Sequence, residues 1–595
     1  MPLHSLDFDT KNVMTHTFDH VPKKGDSSTR SSSIPPATAT TAQSENELLS
    51  NKIEARPEVA RNIEVFAPDS PIEYLNGMKL YLVLLGVGLV VFLMMLDQTI
   101  VVTAIPEITG TFDSLKDIGW YGSAYMLTLA SLQPLIGKVY QHYNSKVVFI
   151  SCLTVFEAGS LICALAPESW VLIVGRAISG AGGSGLVIGF LTILSVAAPL
   201  DKRPFYMGIV MGVSSLGLVL GPILGGVFTE HASWRWCFWL NLPFGGVTLA
   251  ILLFIQIPNG GKEGTTKATL KEQFDRLDIP GFVIFVPATI MLLLAFEWGG
   301  VRYPWKSATI IGLFCGAVGT CVVFFLWEKR QGMVAMIPLP MLKNKVMIYA
   351  SITMTMSQGS LLVITFYLPV WFQVVKNATP TMGGVYFMPS VGGQVFGAVI
   401  TGALTSRTGW YTPWAIAGLA LTSLASGLLS IMTPSSGPGL WVTFQLISGF
   451  SRGLTMQQPL TAIQATLPKA EFAVGNAFLM FSQILGGAIF VSLGQTIFSN
   501  QLPSALAHFA PNVDAAAVLK VGATAFRKVI QPEDMPSVLL AYNQALTRVY
   551  YLGAAAAAAG FFTSWGLGFK NLKVLKEEEE RARGAQSTAK TEDSA

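Results

Sequence analysis

The sequence predicts an all-α membrane protein with fourteen transmembrane helices. Three observations carry that expectation. Hydrophobic residues make up 51% of the 595-residue chain and charged residues only 12%, against roughly 25% charged in a soluble domain. A soluble reading would leave the surface short of charge. Apolar runs of about 20 residues, the length that crosses a bilayer, recur fourteen times. Lys and Arg gather in alternate connections between those runs.

Residues 1–79 come first, polar and rich in Ser, Thr and Pro. Such a segment buries too little apolar area to offset its ordering entropy, so a disordered cytoplasmic tail is expected. Six spans follow near 80–104, 119–137, 147–166, 171–197, 205–227 and 236–257. Residues 258–346 hold cytoplasmic loops and two linker spans, 279–296 and 307–327. Six more lie near 347–371, 382–404, 411–432, 438–463, 473–496 and 549–569, with a long outer loop at 497–548 that is either a small helical cap or an ordered loop. Residues 570–595 form a charged cytoplasmic tail.

The orientation follows from the basic residues. With the N-terminus inside, the inner loops hold fourteen Lys and Arg, among them Lys138, Lys146, Lys202, Arg203, Lys262, Lys267, Lys271 and Arg407. The short outer loops hold five: Lys116, Arg235, Arg302, Lys306 and Lys376. No cleaved signal peptide is visible, so the first span is expected to direct insertion. The net charge of +4 is spread thinly and marks no nucleic-acid groove. All five cysteines fall in or beside apolar runs, which argues against a disulfide framework or a zinc site.

Four charges lie well inside spans: Asp97, Glu157, Arg176 and Arg452. Each costs about 2.5–3.5 kcal/mol at mid-membrane, so each calls for a partner, water or a function. Asp97 and Arg176 lie at matching depths in spans 1 and 4, so an ion pair is geometrically possible. Burial raises a carboxyl pKa and a neighbouring Arg lowers it; separating the pair would take up or release a proton. A static structural pair is the alternative. For Glu157 the choices are structural hydrogen bonding, a lateral cavity or a part in proton transfer. Arg452 either lines a polar cavity or snorkels inward.

Several motifs recur at span ends and on helix faces. Span 1 contains Leu96-Asp97-Gln98-Thr99-Ile100-Val101 and ends in Ala104-Ile105-Pro106. Gly137-Lys138-Val139-Tyr140-Gln141-His142-Tyr143-Asn144-Ser145-Lys146 joins spans 2 and 3. Span 4 carries Arg176-Ala177-Ile178-Ser179-Gly180. In span 5, Gly217, Gly221 and Gly225 share one helix face, a surface for close helix approach, beside Pro222 and Gly226. Pro222 removes a backbone hydrogen bond and permits a bend. Span 6 opens with Trp234-Arg235-Trp236-Cys237-Phe238-Trp239-Leu240-Asn241-Leu242-Pro243-Phe244-Gly245, physically an aromatic belt at the outer interface. The second half echoes the first. Gly402, Arg407 and Gly409 repeat the spacing of the 137–146 loop, and Ile447-Ser448-Gly449 parallels Ile178-Ser179-Gly180.

With these motifs in order, the sequence resembles the major facilitator superfamily over roughly residues 75–570. More closely, it resembles the fourteen-span drug:proton antiporter branch in its fungal toxin-efflux form. The resemblance implies two six-helix bundles, related by a parallel repeat, with two extra helices inserted between them. It implies that Asp97 carries the proton or neighbours the carrier, and that Arg176 tunes it. Gly137, Lys138 and Lys146, with Gly402, Arg407 and Gly409 in the second copy, would form the gating loops. Here Gln141, Asn144 and Ser145 replace the acid, the glycine and the basic residue of the family's first loop. Gly217, Gly221, Pro222, Gly225 and Gly226 would be the antiporter motif.

Gln358, Gln394, Gln457, Gln458, Asn476 and Gln483, with Arg452, are candidates to line an adaptable substrate cavity; helix–helix hydrogen bonding is the competing role. Asn377-Ala378-Thr379 is an outer sequon close to the membrane. The expected function is proton-coupled export of amphipathic small molecules across the plasma membrane by a monomer. The proton is the coupling ion, and no cofactor or metal is expected. Alternatives are uptake or vacuolar transport of siderophores or basic amino acids, a membrane-embedded enzyme, and a transporter-like sensor. No Gly-x-x-x-x-Gly-Lys-[Ser/Thr] loop is present to support ATP-driven pumping.

Overall fold

The computed structural model describes residues 74–114, 117–257, 276–332, 334–513, 527 and 530–581. Residues 1–73 of the tail expected to be disordered, Lys116, the loop lysines Lys262, Lys267 and Lys271, the middle of the outer loop and the tail beyond residue 581 lie outside the described residues.

Fourteen helical segments correspond in order to the fourteen expected spans. They are α1 (Met78–Phe112), α2 (Ile118–His142), α3 (Ser145–Leu165), α4 (Ser169–Ala197), α5 (Arg203–His231), α6 (Trp236–Phe254), α7 (Ile279–Trp298) and α8 (Ala308–Gln331). The second half continues with α9 (Lys345–Val375), α10 (Pro380–Thr408), α11 (Thr412–Ser430), α12 (Pro438–Thr455 continued by Gln458–Gln464), α13 (Phe472–Phe509) and α14 (Met535–Ser564). A last helix, α15 (572–581), follows. Helix satisfies every backbone group internally, as a bilayer core demands. Eleven of these helices are long and apolar enough to cross a membrane. Beyond them, α2 and α14 carry more polar residues (Gln133 and Gln141; Asn543, Gln544 and Arg548), and α12 is broken.

The breaks have local causes. In α5 the Ser215 N–H is shared between the carbonyls of Met211 and Gly212, its hydroxyl also donates to Met211 O at 2.8 Å, and Pro222 follows within the second piece. In α12 the helix stops at Met456 and resumes at Gln458, where Pro459 has no N–H to continue the ladder.

Helices α1 to α6 pack among themselves, and α9 to α14 do likewise. The two bundles meet where α5 crosses α10 and where α2 lies on α13. The two inserted helices are central in sequence but peripheral in space. Helix α7 packs against α2 and α13, and α8 packs against α7 with only 11% of its apolar stretch buried.

The echo between the halves is real in three dimensions. Gly180 of α4 sets its missing side chain against the carbonyl of Tyr125 in α2; Gly449 of α12 does the same against Ser390 in α10. The register that aligns Gly137 with Gly402 also aligns Tyr125 with Ser390, and the register that aligns Ile178 with Ile447 aligns Gly180 with Gly449.

The outer loop is shorter than the sequence suggests. Helix continues through 497–509 and begins again at Met535. Leu502 and Leu506 of α13 and Val538 and Tyr542 of α14 are buried in one cluster with Trp371 and Phe372 of α9. Packing against α9 holds the helices together where apolarity along the chain falls off.

Candidate functional site

Five helices of the first bundle converge on one buried ion pair. Arg176 Nη1 of α4 meets Asp97 Oδ2 of α1 at 2.6 Å, with the side chains 1% and 0% exposed. Arg176 Nε donates to the Tyr121 carbonyl of α2 at 2.9 Å. Its guanidinium lies 4.5 Å from the centre of the Tyr125 ring, a cation–π arrangement strengthened by desolvation. The second carboxylate oxygen is held from α6: Asn241 Nδ2 donates to Asp97 Oδ1 at 3.1 Å and to Ser160 Oγ of α3 at 3.1 Å. Asn241 and Ser160 are both fully buried.

Glu157 lies one turn before Ser160 on α3 and abuts Gly245 of α6, where a methyl group would strike its carboxyl. Both its oxygens are buried without a hydrogen-bond partner among the described residues. A second acid thus stands beside the pair without joining it.

On an adjoining face of α1, the glycine stripe of α5 makes close contact. A Cβ at Gly217 would lie 2.8 Å from Phe92 O and 2.9 Å from Leu96 N; one at Gly221 would strike Thr99, and one at Gly225 would strike Thr103. Thr99 Oγ1 donates to Gly217 O at 3.2 Å. Gly226 faces Thr381 of α10 instead. Helix α5 reaches the second bundle elsewhere too. Gly208 lies against Ala398 and Gly212 against Val395, while Gln394 Nε2 donates to Ser215 Oγ at 3.0 Å. The helix carrying Asp97 therefore leans on the helix that joins the two bundles.

The gating-loop candidates occupy the end expected to face the cytoplasm. A Cβ at Gly137 would lie 2.6 Å from Ala477 Cβ of α13, and one at Gly402 2.5 Å from Pro204 O of α5. The two glycines sit at the two contacts between bundles. Lys138 is buried and reaches Val334 O at 3.4 Å. Lys146 donates to Leu253 O and Ile255 O at the end of α6. Asn144 caps α3, accepting from Lys146 N at 2.9 Å and Val147 N at 3.3 Å. A capping role accounts physically for Asn at that position. Arg407 is exposed, and Gly409 ends α10 with φ 79°, a left-handed turn suited to glycine.

The candidate cavity residues divide into two groups. Gln358 and Gln483 are half-buried and joined at 2.9 Å, and Gln394 bridges the bundles. Gln457 and Gln458 turn to the carbonyls of Ala398 and Leu454, and Asn476 is buried. Arg452 is buried, with Nε on Ser448 O at 2.9 Å and Nη2 on the hydroxyls of Ser448 and Ser390. Asn377 is exposed just after α9, with φ 57°; the Thr379 hydroxyl accepts from Met382 N at 3.2 Å as the cap of α10.

Sequence reasoning passed over Asn241, Ser160, Tyr121 and Tyr125. The Trp234–Gly245 stretch is only partly the interfacial belt it suggests. Trp236 is exposed, but Trp234, Cys237, Phe238 and Asn241 are buried, because one face of α6 closes the first bundle. The signal for Asn241 was an amide inside a span, four residues before a glycine on the same face.

Residues 87–491 match the family model described as Major Facilitator Superfamily. The efflux pump mlcE of Penicillium citrinum is 44% identical over 87% of this chain and 96% of its own length. The efflux pump mokI of Monascus pilosus is 45% identical over 84% of this chain and 93% of its own. The MFS-type transporter pigP of Monascus ruber is 42% identical over 86% and 90%. Among solved structures, the proton:xylose symporter XylE superposes with a TM-score of 0.55 at 13% identity, covering 84% of this chain and 100% of that one. The human organic anion transporter MFSD10 gives 0.54 at 13%, covering 82% and 100%. At that identity the likeness is one of fold.

Proposed function

The chain belongs to the Major Facilitator Superfamily, and from that premise we propose that it is a proton-coupled efflux transporter. It exchanges incoming protons for outgoing amphipathic small molecules such as secondary metabolites, toxins or drugs. The proton is the coupling ion, the plasma membrane is the site of action, and the unit is a monomer. Relatives named as efflux pumps over most of their length support the direction of transport. The observation that carries the coupling is the three-way junction of Asp97, Arg176 and Asn241 on helices α1, α4 and α6.

As a pair, Asp97 and Arg176 bring no net charge into the bundle. Protonating Asp97 leaves Arg176 uncompensated, and breaking a buried pair costs about 3–5 kcal/mol. The strain is relieved only by movement. Helix α1 passes it through Thr99 and Thr103 to the glycines of α5, and α5 passes it to α10 of the other bundle. Asn241 holds the carboxylate in register for the next cycle, and Glu157 supplies a neighbouring acid on the proton's route. Gln358, Gln394 and Gln483 give the outgoing molecule adaptable polar contacts. A membrane potential adds about 2.3 kcal/mol per charge per 100 mV.

Inside-out vesicles with an acid interior test this reading. A fluorescent amphipathic dye should accumulate in them, and collapsing the pH gradient should stop the accumulation. Accumulation that survives collapse would remove proton coupling. Dye movement driven outward from the same vesicles would favour the uptake alternative.

A further inference from the structure

The gating loop of the second bundle is already occupied, by the chain's own C-terminal segment. Asn571 pairs with Trp410 as an antiparallel bridge. Leu572 N donates to Gly409 O at 2.9 Å, and Asn571 Nδ2 donates to Thr408 O at 3.2 Å. Upstream, the Tyr411 hydroxyl donates to Leu567 O at 3.2 Å and the Thr412 hydroxyl to Gly568 O. Gly409 has φ 79°, and a side chain there would strike Asn571, so the loop glycine is shaped to receive this segment.

From that anchor, α15 runs across the end expected to face the cytoplasm. Asn571 caps it, accepting from Lys573 N at 2.9 Å. Leu572 is fully buried in the core cluster that also takes in Leu200 of the first bundle and Leu467 of the second. One side of α15 grips the second bundle through Glu579 and Lys469 at 3.0 Å. One turn earlier on the same face, Lys576 reaches Asp201 of the first bundle at 3.3 Å, in the turn between α4 and α5. The Asp201 backbone is itself a contact between bundles, because its carbonyl accepts from the Ser406 hydroxyl of α10.

We propose that residues 571–581 form a strap that holds the cytoplasmic ends of the two bundles together. Opening that end draws Asp201 away from α10 and from Lys576 while α15 stays on the second bundle. Both ion pairs are partly exposed, with side-chain exposures of 33% and 17% for Lys576 and Asp201. The strap therefore biases the opening equilibrium rather than locking it. Contacts of that kind shift a two-state balance by about two- to five-fold.

The test reads conformation and needs no transported substrate, so it stands or falls separately from the proton-coupling reading. Spin labels go at Val147→Cys in the first bundle and Lys345→Cys in the second, both exposed, in full-length protein with Cys315→Ser and Cys321→Ser. Lys576→Glu alone and Asp201→Lys alone should each raise the long-distance population about two- to five-fold. The charge swap, carrying both changes, should return it to the starting value. Distance distributions unchanged in both single variants would overturn the proposal. So would a swap that stays as open as the singles, since it would show that the charges act on something other than each other.

Discussion

Arg452 donates to the hydroxyl of Ser390, and no carboxylate pairs with it among the described residues. In the repeat, Ser390 holds the place of Tyr125, and Arg452 the place of Gly183. In the first bundle the Tyr125 hydroxyl lies 2.8 Å from where a Gly183 side chain would begin. The second bundle exchanges large for small across the same helix crossing. Arg176, by contrast, corresponds to Gln445, buried with neither amide atom hydrogen-bonded among the described residues. The two bundles share a scaffold, but among the described residues only the first has a buried ion pair. Arg176→Met should therefore lower stability by about 3–5 kcal/mol, because it strands a buried carboxylate, whereas Arg452→Met should cost far less. Thermal unfolding of the purified protein checks this; equal losses would contradict it.

Asn241→Ala removes two buried hydrogen bonds and leaves Asp97 Oδ1 without a donor. A cost of about 1–3 kcal/mol is expected. Asn241→Asp should be worse, since it sets a second carboxyl against Asp97. In flux assays, Asn241→Ala should weaken gradient-driven transport more than equilibrium exchange of substrate. Equal loss of both would make Asn241 merely structural.

The glycine stripe allows a sharper experiment. At Gly221 a methyl group would strike the Thr99 hydroxyl first and then meet Ile100 N at 2.9 Å; at Gly217 the two nearest obstacles are both backbone of α1. Gly221→Ala should cost about 1–3 kcal/mol by overpacking, and Thr99→Ala should recover part of that in the double variant, since Ile100 N remains 2.9 Å from the added methyl. Gly217→Ala should not be rescued by any side-chain change on α1. Transport and unfolding should follow the same order.

At the contact between α2 and α13, Gly137→Ala would bring two methyl groups together at 2.6 Å. Ala477→Gly should relieve the clash in part, since Ala473 O remains 3.1 Å away. The single variant should favour separation of the bundles at this end, and the double variant should move back toward closure. Spin-label distances across that end measure it.

The sequence made the spans and the Asp97–Arg176 pair legible because a charge in an apolar run is conspicuous and its depth can be counted. Other features were hidden for physical reasons. Lipid tails are as apolar as leucine, so apolarity could not say that α8 borders the bilayer while α4 is enclosed. The extensions of α13 and α14 pass through Gln501, Pro503 and Asn543, which end an apolar run but not a helix packed on α9. Uncharged amides are ambiguous in a span. Gln457 and Gln458 bond carbonyls of their own bundle, whereas Asn241 touches the charged pair, and nothing local in the chain separates the cases.

The most direct test measures uphill, pH-gradient-driven dye transport against gradient-independent dye exchange in the same proteoliposomes, for the wild type and Asp97→Asn. Asparagine keeps the shape but, like the protonated acid, leaves the charge of Arg176 uncompensated, so the variant should be less stable while the exchange persists. Uphill transport should fall to the level seen with the gradient collapsed. Wild-type accumulation by Asp97→Asn would contradict the account.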